Sequence, residues 1–214
     1  MNTHWAGSRL LRNSRLLRRA EAIVDAAASV FAERGYHGAS TQAIADVLGM
    51  RQASLYYYFP AKEAALELVC EKGVDGFVAT AEKIAAGPGA PLAKLALLIA
   101  SHLAPNDRQR DYVKVFINER RYLSDASRRR IGRKARRIER SFAEVIRAGV
   151  DDGSIRTDTD VRLATLAVLG MLNSVINWRK DDQGSDLGRI VTELGKLVVD
   201  GLAAPAPAPL RKRP

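Results

Sequence analysis

Residues 38–63 read GASTQAIADVLGMRQASLYYYFPAKE, and this stretch decides the fold. Ser40 or Thr41 can cap a short helix, and Gly49 supplies the positive φ that a sharp turn needs. A third short helix is predicted over about residues 52–58. Ile44, Leu48 and Leu55 form an apolar hub between the two helices. The small side chain of Ala45 lets the helices approach closely. Two short helices joined by a glycine-containing turn indicate a helix-turn-helix.

Helical periodicity continues on both sides of this stretch. Before it, an apolar stripe with helical spacing runs until Gly35 ends the first helix, and it consists of Ile23, Ala27, Val30 and Phe31. After it, Pro60 interrupts the chain and a fourth helix begins near Lys62. Further helices are predicted over about residues 92–103, 108–123, 126–150, 159–179 and 186–202. With no alternating strand pattern and no internal repeat, we predict an all-α fold of about nine helices.

The composition limits the possible functions of the 214-residue chain. Lys and Arg outnumber Asp and Glu by 34 to 24, and a formal net charge of +10 favours a polyanionic partner such as nucleic acid. The single cysteine, Cys70, excludes an intrachain disulfide, and scattered His and Cys residues predict no metal site. No phosphate loop, HExxH or Gly-x-Ser-x-Gly motif is present. We therefore expect neither an enzyme nor a cofactor.

The chain shows no clear membrane or export signal. No apolar run follows the basic N-terminus, so we expect no secretory signal peptide. The uncharged segment Leu163–Val175 is shorter than the ~20 residues that a membrane span needs. We interpret it as part of a helix that is covered on two sides, and we expect a cytoplasmic protein.

A family resemblance rests on motifs at fixed spacing. FAERGY at 31–36 is followed by Thr41, Ile44-Ala45, Gly49, LYYYF at 55–59 and Lys62-Glu63. Together they resemble the DNA-binding domain of the TetR family of transcriptional regulators over about residues 18–66, while the remainder resembles that family only in helix count and order. Two positions depart from the family pattern, since Arg51 and Ala61 stand where a helix-capping residue is common.

The resemblance implies a division of the chain. We expect a flexible basic arm over residues 1–17, a helix-turn-helix DNA-binding domain over 18–64, a helical ligand-binding and dimerisation domain over 65–203, and a disordered tail over 204–214. For the arginine-rich arm two interpretations stay open. It reaches a minor groove or phosphates, or it is only a soluble tail.

The DNA contacts can be assigned by physical role. Thr41, Tyr56 and Lys62 are candidates for phosphate contacts, Tyr56 because the family implies it. Gln52, Ser54 and Tyr57 are expected to read base edges, whereas Tyr58 points inward with Phe59. Core packing remains the alternative for Tyr56 and Tyr57. The predicted DNA-binding set is Thr41, Gln42, Arg51, Gln52, Ala53, Ser54, Tyr56, Tyr57 and Lys62.

The second part of the chain is predicted to bind an effector and to form a homodimer. The last two helices are expected to make a four-helix interface, as in TetR-like proteins, although a fully internal helix is the alternative. A ligand cavity, which the resemblance implies, competes with a solid core. Asn173 and Asn177 can orient a ligand or pair across the dimer axis. The candidate ligand-binding residues are Phe77, Leu95, Ile99, His102, Phe116, Asn118, Leu166, Asn173 and Asn177.

Eight cations fall within residues 128–140, mostly on the polar face of one predicted helix. They form a solvated face or bind an anionic effector such as an acyl-coenzyme A. These patterns together predict a ligand-responsive repressor that binds a palindromic operator as a dimer and is released by a small hydrophobic or acyl-coenzyme A effector. An architectural DNA-binding protein is the alternative, but it leaves the long apolar helices unexplained.

Overall fold

The computed structural model describes residues 4–104, 107–179 and 187–205, without the side chains of residues 4–17, 107 and 108. Over these residues the chain forms nine α-helices and one 3₁₀ turn, Arg120–Tyr122. The helices are α1 (His4–Gly38), α2 (Thr41–Val47), α3 (Gln52–Leu55), α4 (Lys62–Ala86), α5 (Pro91–Leu103), α6 (Asp107–Glu119), α7 (Asp125–Asp151), α8 (Val161–Trp178) and α9 (Leu187–Leu202). The predicted all-α fold is confirmed.

The ends of the chain differ from the predicted layout. From His4 onward, the backbone of the predicted arm is part of α1, so the structure has a helix where we expected a flexible segment. At the other end, the N–H of Ala204 donates to the carbonyl of Ser154 (2.9 Å), which attaches the first residue of the predicted tail. Residues 206–214 of that tail lie outside the described part of the chain.

The chain divides into two compact units whose borders differ from the predicted one at residues 64 and 65. The first unit comprises Met1–Gly76 and Pro105–Arg133, and the second comprises Phe77–Ala104 and Lys134–Pro214. The first unit therefore includes α6, the 3₁₀ turn and the start of α7. Helices α4 and α7 each contribute residues to both units.

In the first unit, α6 packs along α1, and a second close approach joins α6 to α4. The hydroxyl of Tyr112 in α6 donates to the carboxylate of Asp25 in α1. Burial, and next this hydrogen bond, raise the pKa of Tyr112. Gly73 in α4 faces the backbone of Tyr112, where a side chain would not fit. Buried apolar side chains complete the core, among them Ile23, Phe31, Leu55, Phe59 and Leu66.

In the second unit, α5 contacts both α8 and α9. Its buried residues Leu95, Leu98 and Ile99 meet a core that also holds Phe142 and Ile146 of α7. After α7, the N–H of Ile155 donates to the carbonyl of Gly149 (2.8 Å), and the N–H of Arg156 donates to the carbonyl of Leu202 (3.0 Å). These bonds hold the end of α9 against the turn that follows α7.

Helix α8 is apolar on two opposite sides, as the sequence predicts. The whole helix, Val161–Trp178, is longer than the uncharged segment considered in the sequence. By length and composition alone it could cross a membrane, a test that core helices of soluble proteins also pass. One side is buried and consists of Val161, Thr165, Val168, Leu172 and Val175. The opposite side carries exposed Leu163 and Leu166.

Replacing Gly73 by Ala is expected to destabilise the protein. An ideal Cβ at this position lies 2.5 Å from the carbonyl oxygen of Tyr112, a backbone atom that cannot rotate away. Overpacking costs about 1–3 kcal/mol, which is at least as large as the ~1 kcal/mol that Ala gains over Gly in a helix. Urea unfolding of Gly73→Ala measures the free energy of unfolding.

Gly76→Ala is the matched control, one turn further along α4. Its Cβ meets only Nε2 of Gln109, at 3.2 Å, and that side-chain end can move. We expect Gly76→Ala to be at least as stable as the wild type. Equal stabilities of the two variants would contradict the close approach of α4 and α6.

Candidate DNA interface and effector site

The helix-turn-helix is held by a buried hub and by one cap. Oγ of Ser40 accepts the N–H of Ala43 (3.1 Å) and begins α2, and Gly49 has the expected positive φ of 59°. Ile44, Ala45, Leu55 and Phe59 are buried, and Leu48 is half-buried. Arg51 precedes α3 without a side-chain cap bond, as the departure from the family pattern predicts. Helix α3 then spans only Gln52–Leu55, shorter than expected.

The outer face of α3 exposes the residues that were predicted to read bases. Tyr57 is 82% exposed, and Arg51, Ala53 and Ser54 are exposed as well. Tyr56 is 48% exposed, so it and Tyr57 are not core residues in this chain. Tyr58 is half-buried and meets the Tyr57 ring edge-on, with 5.4 Å between the centroids. The face is therefore free to approach a groove.

Two predicted contact residues are engaged within the protein. Nε2 of Gln52 donates to Oγ1 of Thr41 (2.7 Å) and to the hydroxyl of Tyr56 (3.4 Å). Nε2 of Gln42 donates to Oδ1 of Asp46 (2.6 Å), one turn further along α2. A bidentate contact to adenine needs the amide nitrogen of Gln52. In this arrangement that nitrogen already donates to two hydroxyl groups.

Lys62 lies at the start of α4, but its ammonium group is turned to the end of α1. Nζ donates to the carbonyls of Tyr36 (2.8 Å) and Ala39 (2.9 Å) and lies 4.4 Å from the centroid of the Tyr36 ring. Two of its three N–H groups are thus used inside the first unit. Lys62 fixes the join between α1 and α4, a role that the sequence prediction missed.

The end of α6 contacts the same join. Oε2 of Glu119 accepts the N–H of Tyr36 (2.9 Å), directly after Gly35 with its φ of 68°. The ring of Tyr122 stacks on the ring of Tyr36, with centroids 5.2 Å apart. Oε1 of Glu63 accepts the N–H of Ser124 (2.8 Å). No local pattern marked residues 119–124 for this contact, because their partners lie more than sixty residues away in sequence.

The second unit holds a polar pair among aromatic rings. Nε2 of His102 in α5 donates to Oδ1 of Asn173 in α8 (3.0 Å). The His102 ring lies 5.6 Å from the Phe77 ring and 6.0 Å, edge-on, from the Phe142 ring. Burial lowers the pKa of His102, and the hydrogen bond with Asn173 acts in the opposite direction. Phe77, His102 and Asn173 are half-buried, so this cluster combines a neutral polar pair with partial access.

The structure brings together only part of the predicted ligand-binding set. Leu95 and Ile99 are fully buried in the same unit as the polar pair. Phe116 and Asn118 belong instead to the first unit, where the guanidinium of Arg120 lies 4.9 Å from the Phe116 ring. Two other predicted residues, Leu166 and Asn177, are exposed on α8. For these four residues a ligand-binding role stays a prediction, and Phe142 is a neighbour of His102 that the predicted set did not include.

The arginine-rich start of α7 is partly paired with carboxylates. Arg137 makes a bidentate ion pair with Glu82, with both N···O distances at 2.7 Å. Its hydrogen bond lowers the pKa of the Glu82 carboxyl. Arg130 donates to both Glu67 and Glu71 of α4 in the first unit. Arg136 is exposed and forms no hydrogen bond or ion pair with the described residues. The arginine run is therefore divided between structural pairs and an open face.

The described part of the chain offers neither a cluster of metal ligands nor a reactive thiol. No group of three His, Cys, Asp or Glu side chains there could hold a metal ion. Cys70 is buried in α4, and burial raises the pKa of its thiol to about 12. A thiol with so high a pKa stays protonated near neutral pH and is a poor nucleophile or ligand.

A helix-turn-helix with an open outer face, joined to a second helical unit, defines a ligand-responsive DNA-binding regulator. Residues 23–69 match the family model "Bacterial regulatory proteins, tetR family", and residues 88–202 match the tetracyclin repressor-like C-terminal domain. The chain belongs to the TetR family. It is a transcriptional regulator and not an enzyme.

Two regulators of known function and one solved structure match most of the chain. The transcriptional repressor KstR2 of Rhodococcus jostii is 28% identical over 184 residues, which cover 86% of this chain and 90% of that protein. The fatty acid metabolism regulator of Bacillus subtilis is 28% identical over 181 residues, 84% and 93% of the two chains. The structure of FadR from Bacillus subtilis with stearoyl-CoA has a TM-score of 0.68 and 27% identity, covering 85% and 98%.

The lowered pKa of His102 predicts a pH-dependent stability. His102 is protonated at a higher pH in the unfolded chain than in the folded protein. The free energy of unfolding therefore falls as the pH drops below about 6.5. Between about pH 6.5 and the pKa of His102 in the folded protein, this histidine lowers the free energy of unfolding by up to about 1.4 kcal/mol per pH unit. Urea unfolding between about pH 8 and pH 5 measures this slope.

His102→Gln separates this contribution from those of other groups. The variant cannot take up the proton, so we expect its stability to depend less steeply on pH. His37→Gln, which replaces an exposed histidine of the first unit, is measured alongside to show the effect of removing a histidine elsewhere in the chain. An unchanged pH dependence in His102→Gln would rule out the assignment.

Proposed function

We propose that this regulator is a homodimeric cytoplasmic repressor that binds a palindromic operator and is released by an acyl-coenzyme A. The observation that carries the proposal is the open face of α3, where exposed Ser54 and Tyr57 stand beside exposed Arg51. Such a face can enter a major groove while the buried hub stays intact. The relatives support repression, since KstR2 is a transcriptional repressor.

The DNA contacts divide into two kinds. Ser54 and Tyr57, with Arg51 and Ala53 beside them, are the proposed base readers, because they are exposed and have room to meet base edges. Thr41 and Tyr56 supply hydroxyl groups for phosphate oxygens. Lys62 has one N–H left after its two bonds to carbonyls, and that group can reach a phosphate. Gln42 flanks this face from α2.

A second copy of the chain is the proposed cover for α8 and α9. Leu163 on α8 and Leu197 on α9 are each 64% exposed, and Trp178 is 52% exposed. Large apolar side chains that are exposed on two helices, both of which pack on α5, favour an interaction surface. A dimer also fits a palindromic operator, because two-fold protein symmetry requires two equal half-sites.

Leu163→Asp and Leu197→Asp are expected to give folded monomers with weak operator binding. Both side chains are exposed in the single chain, so the fold tolerates the charge, whereas a dimer interface would bury it unpaired. Analytical ultracentrifugation measures the mass and circular dichroism the helix content. Leu68→Asp, at a 41% exposed position on α4, is the control that should stay dimeric. Stable dimers in both test variants would disprove the interface.

The proposed effector site is the cluster around His102 and Asn173. FadR from Bacillus subtilis, 27% identical to this chain, is known in complex with stearoyl-CoA. Here half-buried Phe77 offers apolar surface, and the fully buried Phe142 ring lies against His102. The neutral His102–Asn173 pair offers polar groups that can meet a thioester carbonyl. Exposed Arg136 and Arg140 on α7 are candidates for the phosphates of the coenzyme.

Release requires that the effector prefers a conformation with low DNA affinity. Helix α4 connects the two sites covalently, since Phe77 contacts His102 and Lys62, fifteen residues earlier, holds the end of α1. A displacement of α4 would therefore alter the position of the helix-turn-helix. A coupling of about 1–3 kcal/mol would lower DNA affinity roughly 5- to 150-fold.

The function is tested by selecting an operator and then titrating its complex. Selection from random duplexes is expected to return two inverted half-sites about one helical turn or more apart. Long-chain acyl-coenzyme A should then release the operator in an electrophoretic mobility assay, whereas the free acid should not. If the protein selects no particular sequence, the alternative function of an architectural DNA-binding protein is favoured. Release by free acids alone would refute the coenzyme proposal.

Two variants locate the effector in this titration. Asn173→Ala is expected to raise the acyl-coenzyme A concentration for half-release while unliganded operator affinity stays within a few-fold. Arg136→Glu should weaken the response to the thioester through its phosphates. Asn118→Ala, in the first unit, is the matched control and should leave half-release unchanged. An unaltered response in Asn173→Ala would remove the cluster from the site.

A further inference from the structure

Three polar side chains form a small triangle where α2 and α3 face each other. Nε2 of Gln52 lies 2.7 Å from Oγ1 of Thr41 and 3.4 Å from the hydroxyl oxygen of Tyr56. The third side, between the two hydroxyl oxygens, measures 3.5 Å. Thr41 is the first residue of α2, Gln52 the first of α3, and Tyr56 directly follows α3.

The hydrogens of this triangle can be counted. A side-chain amide nitrogen carries two hydrogens and accepts none, so Gln52 is the donor in both of its bonds. Each hydroxyl oxygen then accepts from Gln52 and carries one hydrogen of its own. In the free protein one of the two hydroxyls can donate to the other across the 3.5 Å side, and a bound phosphate can take up both hydrogens instead. Two hydroxyl donors 3.5 Å apart can address one phosphate group together, through one or both of its free oxygens.

We propose that Gln52 is a positioning residue that presents the hydroxyls of Thr41 and Tyr56 as a paired donor site for one DNA phosphate. The proposal rests on the DNA-binding function of the helix-turn-helix. It assigns to Gln52 a contribution to affinity that is independent of base sequence. Both amide hydrogens are occupied, so Gln52 lacks the donor that a bidentate contact to adenine requires.

The triangle is not needed to hold α2 against α3. That contact is made by the buried hub, in which Ile44, Ala45 and Leu55 are fully buried. The triangle lies at the surface instead, with Thr41 and Gln52 half-buried and Tyr56 48% exposed. A polar network at this edge fixes the direction of two hydroxyl groups and adds little to the core.

The test uses Gln52→Met, which keeps the length of the side chain and removes both donors. Fluorescence anisotropy measures the DNA affinity of this variant and of Tyr56→Phe. Each is tested on two duplexes, one that was selected with the wild-type protein and one of random sequence. We expect each variant to lose about 5- to 30-fold on both duplexes, as for one or two lost hydrogen bonds. The dependence on salt should not change, because a hydroxyl neutralises no phosphate charge.

The coupling between the residues distinguishes positioning from a general effect on structure. In the double variant Thr41→Val with Tyr56→Phe, adding Gln52→Met should cost no further affinity, since no hydroxyl remains to be positioned. Tyr57→Ala should behave in the opposite way and lose more on the selected duplex than on the random one. Tyr58→Phe removes a neighbouring hydroxyl outside the triangle and is the control that should bind like the wild type.

Two results would overturn the positioning role. One is a loss in Gln52→Met that is confined to the selected duplex. The other is a full loss from Gln52→Met in the background that lacks both hydroxyls. If the wild type selects no sequence, the operator proposal fails, yet the random duplex still tests Gln52. If the wild type binds neither duplex, both proposals fail.

Discussion

The end of α1 leaves backbone groups without helical partners, and the first unit is arranged around them. Gly35 turns the chain with a positive φ, which exposes the N–H of Tyr36 and the carbonyls of Tyr36 and Ala39. Glu119 accepts the N–H, and Lys62 donates to both carbonyls. The carboxylate of Glu119 belongs to α6 and the ammonium group of Lys62 belongs to α4. Both helices are therefore attached to the end of α1. Removing either side chain would leave part-buried backbone groups without their hydrogen-bond partner, which costs free energy of folding.

The helix-turn-helix could be predicted from the sequence because its determinants are local. Ser40, Gly49 and the hub around Ile44 act over a few residues, and the structure has them in the expected places. The membership of α6 in the first unit could not be predicted in this way. It depends on Tyr112 meeting Asp25 and Gly73, residues that are distant in sequence and carry no periodic signal. The neighbours of His102 could be predicted only in part for the same reason, because the contacts of His102 with Phe77, Phe142 and Asn173 join residues that are distant in sequence.

The arginine run of α7 shows how one charge pattern serves two purposes. Arg130 pairs with carboxylates of α4 in the first unit, and Arg137 pairs with Glu82 of α4 in the second. The same two helices are therefore joined by ion pairs within each unit. These pairs are exposed or half-exposed, so each adds little to stability. Their geometry nevertheless fixes which face of α7 is left open, and that face carries Arg136 and Arg140.

The exposed outer face of α3 has a consequence for how such a regulator evolves. Ala53, Ser54 and Tyr57 contribute little to the core, so exchanging them changes the surface without unfolding the protein. The junction at Gly35 and the buried hub tolerate no such exchange. With α3 as the proposed reading face, one copy that arises by gene duplication can acquire a different target sequence by a few surface substitutions while its core and its second unit stay the same. The residues that would change with the target sequence are thus different from the residues that stabilise the fold.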